Sequence, residues 1–174
     1  MTMRMLESGG LPVVTDGLRG ADPSNPGGYY EFERVKELDK GGDSSWLRDV
    51  RGKAVKIISL LLTYLPESYD YQVIFIRRDL DEILASQNKM LEARGEASGA
   101  EDSRLKALYV EHLMQVERFL GRRSCFSTLT LQYADLVGSP AEEAARINTF
   151  LGGSLDVTKM AAVADRTLYR NRRA

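Results

Sequence analysis

Cysteine and histidine are nearly missing from this chain: Cys125 and His112 are the sole examples in 174 residues. One cysteine excludes an intrachain disulfide and a cysteine-based zinc site, and it agrees with a reducing compartment. Charge of one sign is lacking too. The 24 Lys and Arg against 25 Asp and Glu leave a net charge of -1, so no global field favours nucleic acid or an anionic membrane, and any anion site is local. Long hydrophobic runs are missing as well. The longest apolar stretch, "IISLLLTYLP", is too short to span a bilayer and ends at Pro66. The opening "MTMRM" has no apolar segment of signal-peptide length behind it. These absences predict a cytoplasmic protein with no membrane span and no nucleic-acid partner. They leave the oligomeric state open.

What is present has the usual globular mixture, with 43% hydrophobic and 28% charged residues. It reads as a single domain over 1–174, without repeats. "MTMRMLES" places Met1, Met3, Met5 and Leu6 near a helical repeat, and Gly9-Gly10 supplies a stop. No capping residue precedes it except Thr2. "GADPSNPGG" (20–28) is a turn-rich loop, and "ERVKELDK" (33–40) and "SSWLRDVR" (44–51) predict short helices. "KAVKII" (53–58), "YQVIFIRR" (71–78) and "CFSTLTLQY" (125–133) predict strands. The second is a continuous apolar run of the kind buried on both faces of a parallel sheet.

Helices are predicted from Asp79 to about Gly95, with Asp79 and Glu82 as a capping pair, and from about Asp102 to Phe119. The second should bury Leu105, Leu108, Tyr109, His112, Val116 and Phe119 on one stripe. A third opens at Pro140 and runs to Leu151 before Gly152-Gly153, and "DVTKMAAVADRTLYR" closes the chain. Strands alternating with helices predict an α/β fold, a parallel sheet with helices on both faces.

The stretch "VIFIRRDLDEILAS" concentrates the candidate chemistry. It delivers Arg77 and Arg78 at the carboxyl end of a buried strand, where open parallel sheets bind ligands. Strand alternation sends the two to opposite faces. Ser86 follows Arg78 two turns into the next helix, within reach of a phosphate that Arg78 also holds. A second reading stands beside this one: both arginines pair with Asp79, Asp81 or Glu82, and Ser86 is a plain helix-surface residue.

"IRRDLDEILAS" resembles the 3′-phosphate-binding segment of sulfotransferases. "MLESGGLPVVTDGL", "NPGGYYEFERVK" and "AVKIISLLLTYLP" extend the similarity over much of residues 3–90. The resemblance implies a P-loop NTPase-like fold with 3′-phosphoadenosine 5′-phosphosulfate as donor, a hydroxyl or amine as acceptor, and no metal. It assigns Arg78 and Ser86 to the donor's 3′-phosphate. It also implies a first strand and phosphosulfate-binding loop directly before "MTMRMLESGG". The expectation is therefore an N-terminally incomplete domain, its first strand missing, that binds donor weakly or not at all.

For the base, family members with a histidine carry it near a segment similar to "AVKIIS", which here offers Lys56 and Ser59. Other branches use a glutamate, and the family-like Gly-Tyr-Tyr-Glu core points to Glu31, with Glu33 as its neighbour. A cap or salt bridge for the following helix is an equally open role for Glu31. Lys56 is either a contact to the transferring group or a strand-end charge. His112 reads as a packed, hydrogen-bonded histidine and Cys125 as an inert buried thiol. Tyr29, Tyr30 and Phe32 line an acceptor pocket or anchor the core. The basic end, Arg166, Arg170, Arg172 and Arg173, is a solvated helix terminus or a nucleotide contact, and 87–104 is the segment expected to form an acceptor lid. Two rivals remain: a P-loop-type small-molecule kinase, for which "RGKAV" (51–55) lacks the Ser or Thr after Gly-Lys, and a non-catalytic remnant or interaction domain.

Overall fold

The computed structural model describes residues 1–21, 25, 27–93 and 102–165. The fold is mixed α/β around a small two-stranded parallel sheet. Strand β1 (Tyr71–Arg77) pairs with β2 (Phe126–Gln132) in the register Tyr71↔Phe126 through Arg77↔Gln132. The Tyr71 N–H donates to the Cys125 carbonyl at 2.7 Å. In a parallel ladder the partner groups recur every second residue. Tyr71, Val73, Phe75 and Arg77 therefore turn their backbone groups toward β2, and Ser127, Leu129 and Leu131 return them. The crossover between the strands carries α3 (Leu80–Ala93) and α4 (Asp102–Arg122).

Side-chain alternation along this ladder sorts the molecule into two apolar clusters. On one face Tyr71, Val73, Phe75 and Phe126 meet Val116 and Leu120 of α4. The same cluster holds Leu61 and Leu62 of a 3₁₀ helix (Ser59–Tyr64), Val35 and Leu38 of another (Glu33–Lys40), and Trp46 of the short α2 (Trp46–Asp49). On the other face Ile74, Ile76, Leu129 and Leu131 meet Met5 and Leu6 of α1 (Thr2–Ser8). Leu136 of α5 (Tyr133–Gly138), Ile147 of α6 (Pro140–Phe150) and Met160 of α7 (Val157–Ala162) complete that core. Met5, Leu136, Ile147 and Met160 are wholly excluded from solvent.

Local signals act as their chemistry dictates. Gly9 keeps a right-handed backbone and Gly10, at φ 97°, makes the left-handed exit from α1. A Cβ on Gly9 would strike Met160 at 2.6 Å, so this glycine is needed for α7 to pack against α1. Asp79 caps α3, its carboxylate accepting from the Asp81 N–H (2.8 Å) and the Glu82 N–H (3.3 Å). Pro140 occupies the first turn of α6. Asp156 caps α7 by accepting from the Lys159 N–H at 3.0 Å.

Four sequence expectations need correction. Residues 53–58 do not form a strand: their described pairing is one parallel bridge, Ala54 with Val13. The next rung along this segment would need the Asp16 N–H, which donates to the Glu31 carbonyl at 3.1 Å instead, so the ladder stops after one bridge. Strand β1 is not buried on both faces; Phe75 alone is fully buried, because a sheet this narrow offers little cover. The stripe on α4 is shifted, with Leu120 buried and Leu108 53% exposed. Tyr133, read as the end of a strand, instead opens a helix, Tyr133–Gly138. Arg166, Arg170, Arg172, Arg173 and the 94–101 part of the expected lid lie outside the described residues.

Leu136→Ala should lower unfolding free energy by roughly 2–5 kcal/mol, since it empties a site closed on all sides. Leu108→Ala should cost under about 0.5 kcal/mol. Urea denaturation of the two variants measures the difference.

Candidate functional site

The carboxyl ends of β1 and β2 open into a cleft of about 520 Å³. Its wall includes Arg77, Arg78, Asp79 and Glu82 from the β1–α3 turn, Leu113, Met114 and Glu117 from α4, and Gln132 and Asp135 from the β2–α5 turn. The opposed alternation of Arg77 and Arg78 is realised. Arg77 donates across to Glu117 of α4 at 2.8 Å. Arg78, in the β1–α3 turn, reaches Glu82 in the first turn of α3 at 3.4 Å and lies over the Tyr133 ring, 5.1 Å from its centroid. Glu82 is 6% exposed, so its charge is largely withdrawn from water, with the Arg78 guanidinium as a counterion. Ser86 is half-buried on α3 and does not line the cleft. With four carboxylates against two guanidinium groups, the wall carries an acidic balance.

A second constellation forms where the glycine loop meets the 53–58 segment. Glu31, 23% exposed, lies 3.3 Å from Arg19, 3.9 Å from Lys36 and 3.9 Å from Lys56. Lys56 also donates to the Tyr29 carbonyl at 2.7 Å, and Arg19 stacks on the Tyr29 ring at 3.4 Å. Partial burial pulls the Lys56 ammonium below the ordinary lysine range, against the opposing pull of Glu31. The backbone that presents Glu31 is constrained. Gly28 sits at φ 77° and Tyr30 at φ 51°, a left-handed conformation that a tyrosine adopts at a cost. It is held there by a 2.5 Å hydrogen bond from the Tyr30 hydroxyl to Glu7 of α1. Desolvation and that carboxylate push the Tyr30 phenol up to about 12. Asp16 anchors the far side by accepting from the Leu18 and Glu33 N–H groups, which hold its carboxyl below the usual range.

The two candidates for proton transfer and charge stabilisation, Glu31 and Lys56, are thus brought together, whereas among the described residues Arg78 bonds Glu82 and Ser86 does not line the cleft. Glu33 pairs with Lys36 at 2.6 Å. His112 is half-buried, with its Nε2 2.8 Å from the Ser59 hydroxyl, as a packed histidine should be. Cys125 is buried and free. Phe32 meets Trp46 edge-on, a core anchor. Sequence reasoning missed Arg19, Glu117 and Tyr133. Tyr133 alone had a signal, since it closes the predicted strand "CFSTLTLQY", at the end of which ligands of a parallel sheet are met.

Among the described residues no cluster of His, Cys, Asp and Glu could hold a metal ion, and no helix is long and apolar enough to cross a membrane. Comparisons of the chain with models of known families, with curated proteins and with solved structures find no match.

Arg78→Met should destabilise the fold by roughly 3 kcal/mol, because it strips a buried carboxylate of a counterion. The double variant Arg78→Met/Glu82→Leu should regain most of that loss in urea titrations. The depressed Asp16 carboxyl contributes stability that is full above its unfolded value of 3.8 and is lost as pH falls through the lower folded value. Asp16→Asn should therefore flatten the acid limb of a stability-against-pH curve.

Proposed function

We propose that the chain is a sulfotransferase-type domain with a P-loop-like ancestry. In this reading it moves a sulfuryl group from 3′-phosphoadenosine 5′-phosphosulfate to a hydroxyl or amine. The observation that carries the reading is the meeting of Glu31 and Lys56 at 3.9 Å, two residues distant in sequence that the resemblance had already singled out. The acceptor oxygen or nitrogen bonds sulfur as the sulfur–oxygen bond to the donor phosphate breaks. Glu31 takes the acceptor proton, and Lys56 holds charge developing on the bridging oxygen. Arg78 and Ser86 hold the donor's 3′-phosphate, for which Arg78 exchanges Glu82 for the phosphoryl oxygens.

A second reading, a non-catalytic domain, is favoured by one specific feature: Arg78 is already satisfied by Glu82 in an acidic cleft. A small-molecule kinase has less support, since no Gly-Lys-Ser/Thr loop occurs in the sequence.

Thermal shift separates the three. Under the first reading, 3′-phosphoadenosine 5′-phosphate at a hundredfold excess over its dissociation constant stabilises by about 2.7 kcal/mol, a rise of roughly 5–10 °C. ATP with magnesium leaves the midpoint unchanged. Arg78→Lys, which keeps a cation beside Glu82, should weaken the nucleotide about tenfold by losing bidentate geometry. A response to ATP with magnesium alone selects the kinase, and no response to either nucleotide selects the non-catalytic domain.

A further inference from the structure

The outer edge of β2 is unguarded. Its sequence, "FSTLTLQ", holds no charge, proline or glycine, the devices that usually blunt an exposed edge. Because Ser127, Leu129 and Leu131 turn their backbone groups to β1, those of Thr128 and Thr130 point away from the sheet. Phe126 shows the same direction, its N–H donating to the Arg123 carbonyl at 3.2 Å rather than to β1. Among the described residues, no strand pairs with this edge. Ser127, Thr128, Thr130 and Gln132 are all exposed. A groove between the last turns of α4 (Glu117, Leu120, Gly121) and β2 runs beside Thr128 and Thr130, so α4 stands off from this side of the edge.

We propose that this edge is a homodimer interface, in which β2 of one copy pairs antiparallel with β2 of a second copy. The outward-turned residues make the edge self-complementary. Centred on Leu129, antiparallel pairing sets Thr128 against Thr130 of the other copy, each exchanging N–H···O=C bonds with the other. Leu129 then meets its own symmetry mate on the opposite face, so apolar meets apolar and hydroxyl meets hydroxyl. The result is a closed two-fold interface and one continuous sheet of order β1-β2-β2-β1.

The charges at the ends fit the same arrangement. Arg122 is exposed just before β2 and Asp135 is exposed just after it, and neither has an ion pair among the described residues. Antiparallel pairing brings the basic start of one strand beside the acidic end of the other, twice by symmetry. A parallel arrangement would place like charges together. Pairing also relieves the marginal standing of a two-stranded sheet, which gains from added neighbours.

Sedimentation equilibrium over a wide concentration range, with the whole chain, tests this. The expected result is a reversible monomer–dimer equilibrium. Thr130→Lys, at an exposed position that leaves the core untouched, should raise the dissociation constant at least tenfold while circular dichroism stays unchanged. Arg122→Glu should weaken the dimer several-fold, and Arg122→Glu/Asp135→Arg should restore it. A monomer at every concentration, an open-ended series of larger species, or a dimer indifferent to Thr130→Lys would each overturn the proposal.

Discussion

Everything in this molecule depends on seven residues of β1 lying parallel to seven of β2. A two-stranded sheet contributes little stability by itself. Its importance is as a divider. The period of two along each strand sends Tyr71, Val73 and Phe75 to one core and Ile74 and Ile76 to the other. Helices α2 and α4 contribute buried residues to the first core, and α1, α5, α6 and α7 to the second. A slip of one residue would exchange the rows and present the wrong face to both cores at once.

The same alternation continues past the last ladder residue and determines what the cleft can do. Arg77 inherits the α4 face and is met by Glu117; Arg78 inherits the opposite one and is met by Glu82 and the Tyr133 ring. Two adjacent arginines thereby serve different elements. The cleft that results is rich in opposed charge. A phosphate entering it competes with carboxylates already in place, which makes the exchange at Arg78 the energetic crux of the nucleotide reading. The Glu31 constellation has the reverse balance, with three cations around one carboxylate.

Local instructions were legible in the sequence. Asp79 as a cap, Pro140 in a first turn, Gly10 as a left-handed exit and the strand over 71–77 all follow from short-range chemistry, and each is present. The i,i+4 pairing of Arg78 with Glu82 was one of two readings that spacing allowed. Long-range pairing was not legible. Residues 53–58 have strand composition, but a strand requires a neighbour free to donate and accept, and the Asp16 N–H that would continue the pairing is given to the Glu31 carbonyl. Arg77 and Glu117 are linked through the crossover, which no local pattern encodes. The strained Tyr30 was equally hidden, because its conformation depends on Glu7 reaching it from α1.

Amide hydrogen exchange resolved by residue tests the sheet pairing most directly. Val73, Phe75, Arg77, Ser127, Leu129 and Leu131 turn their N–H groups into the ladder, and their exchange should require opening of the whole fold. Gln72, Ile74 and Ile76, which turn theirs outward, should exchange orders of magnitude faster. Uniform protection along β1, or fast exchange throughout it, would contradict the arrangement on which both cores and the cleft depend.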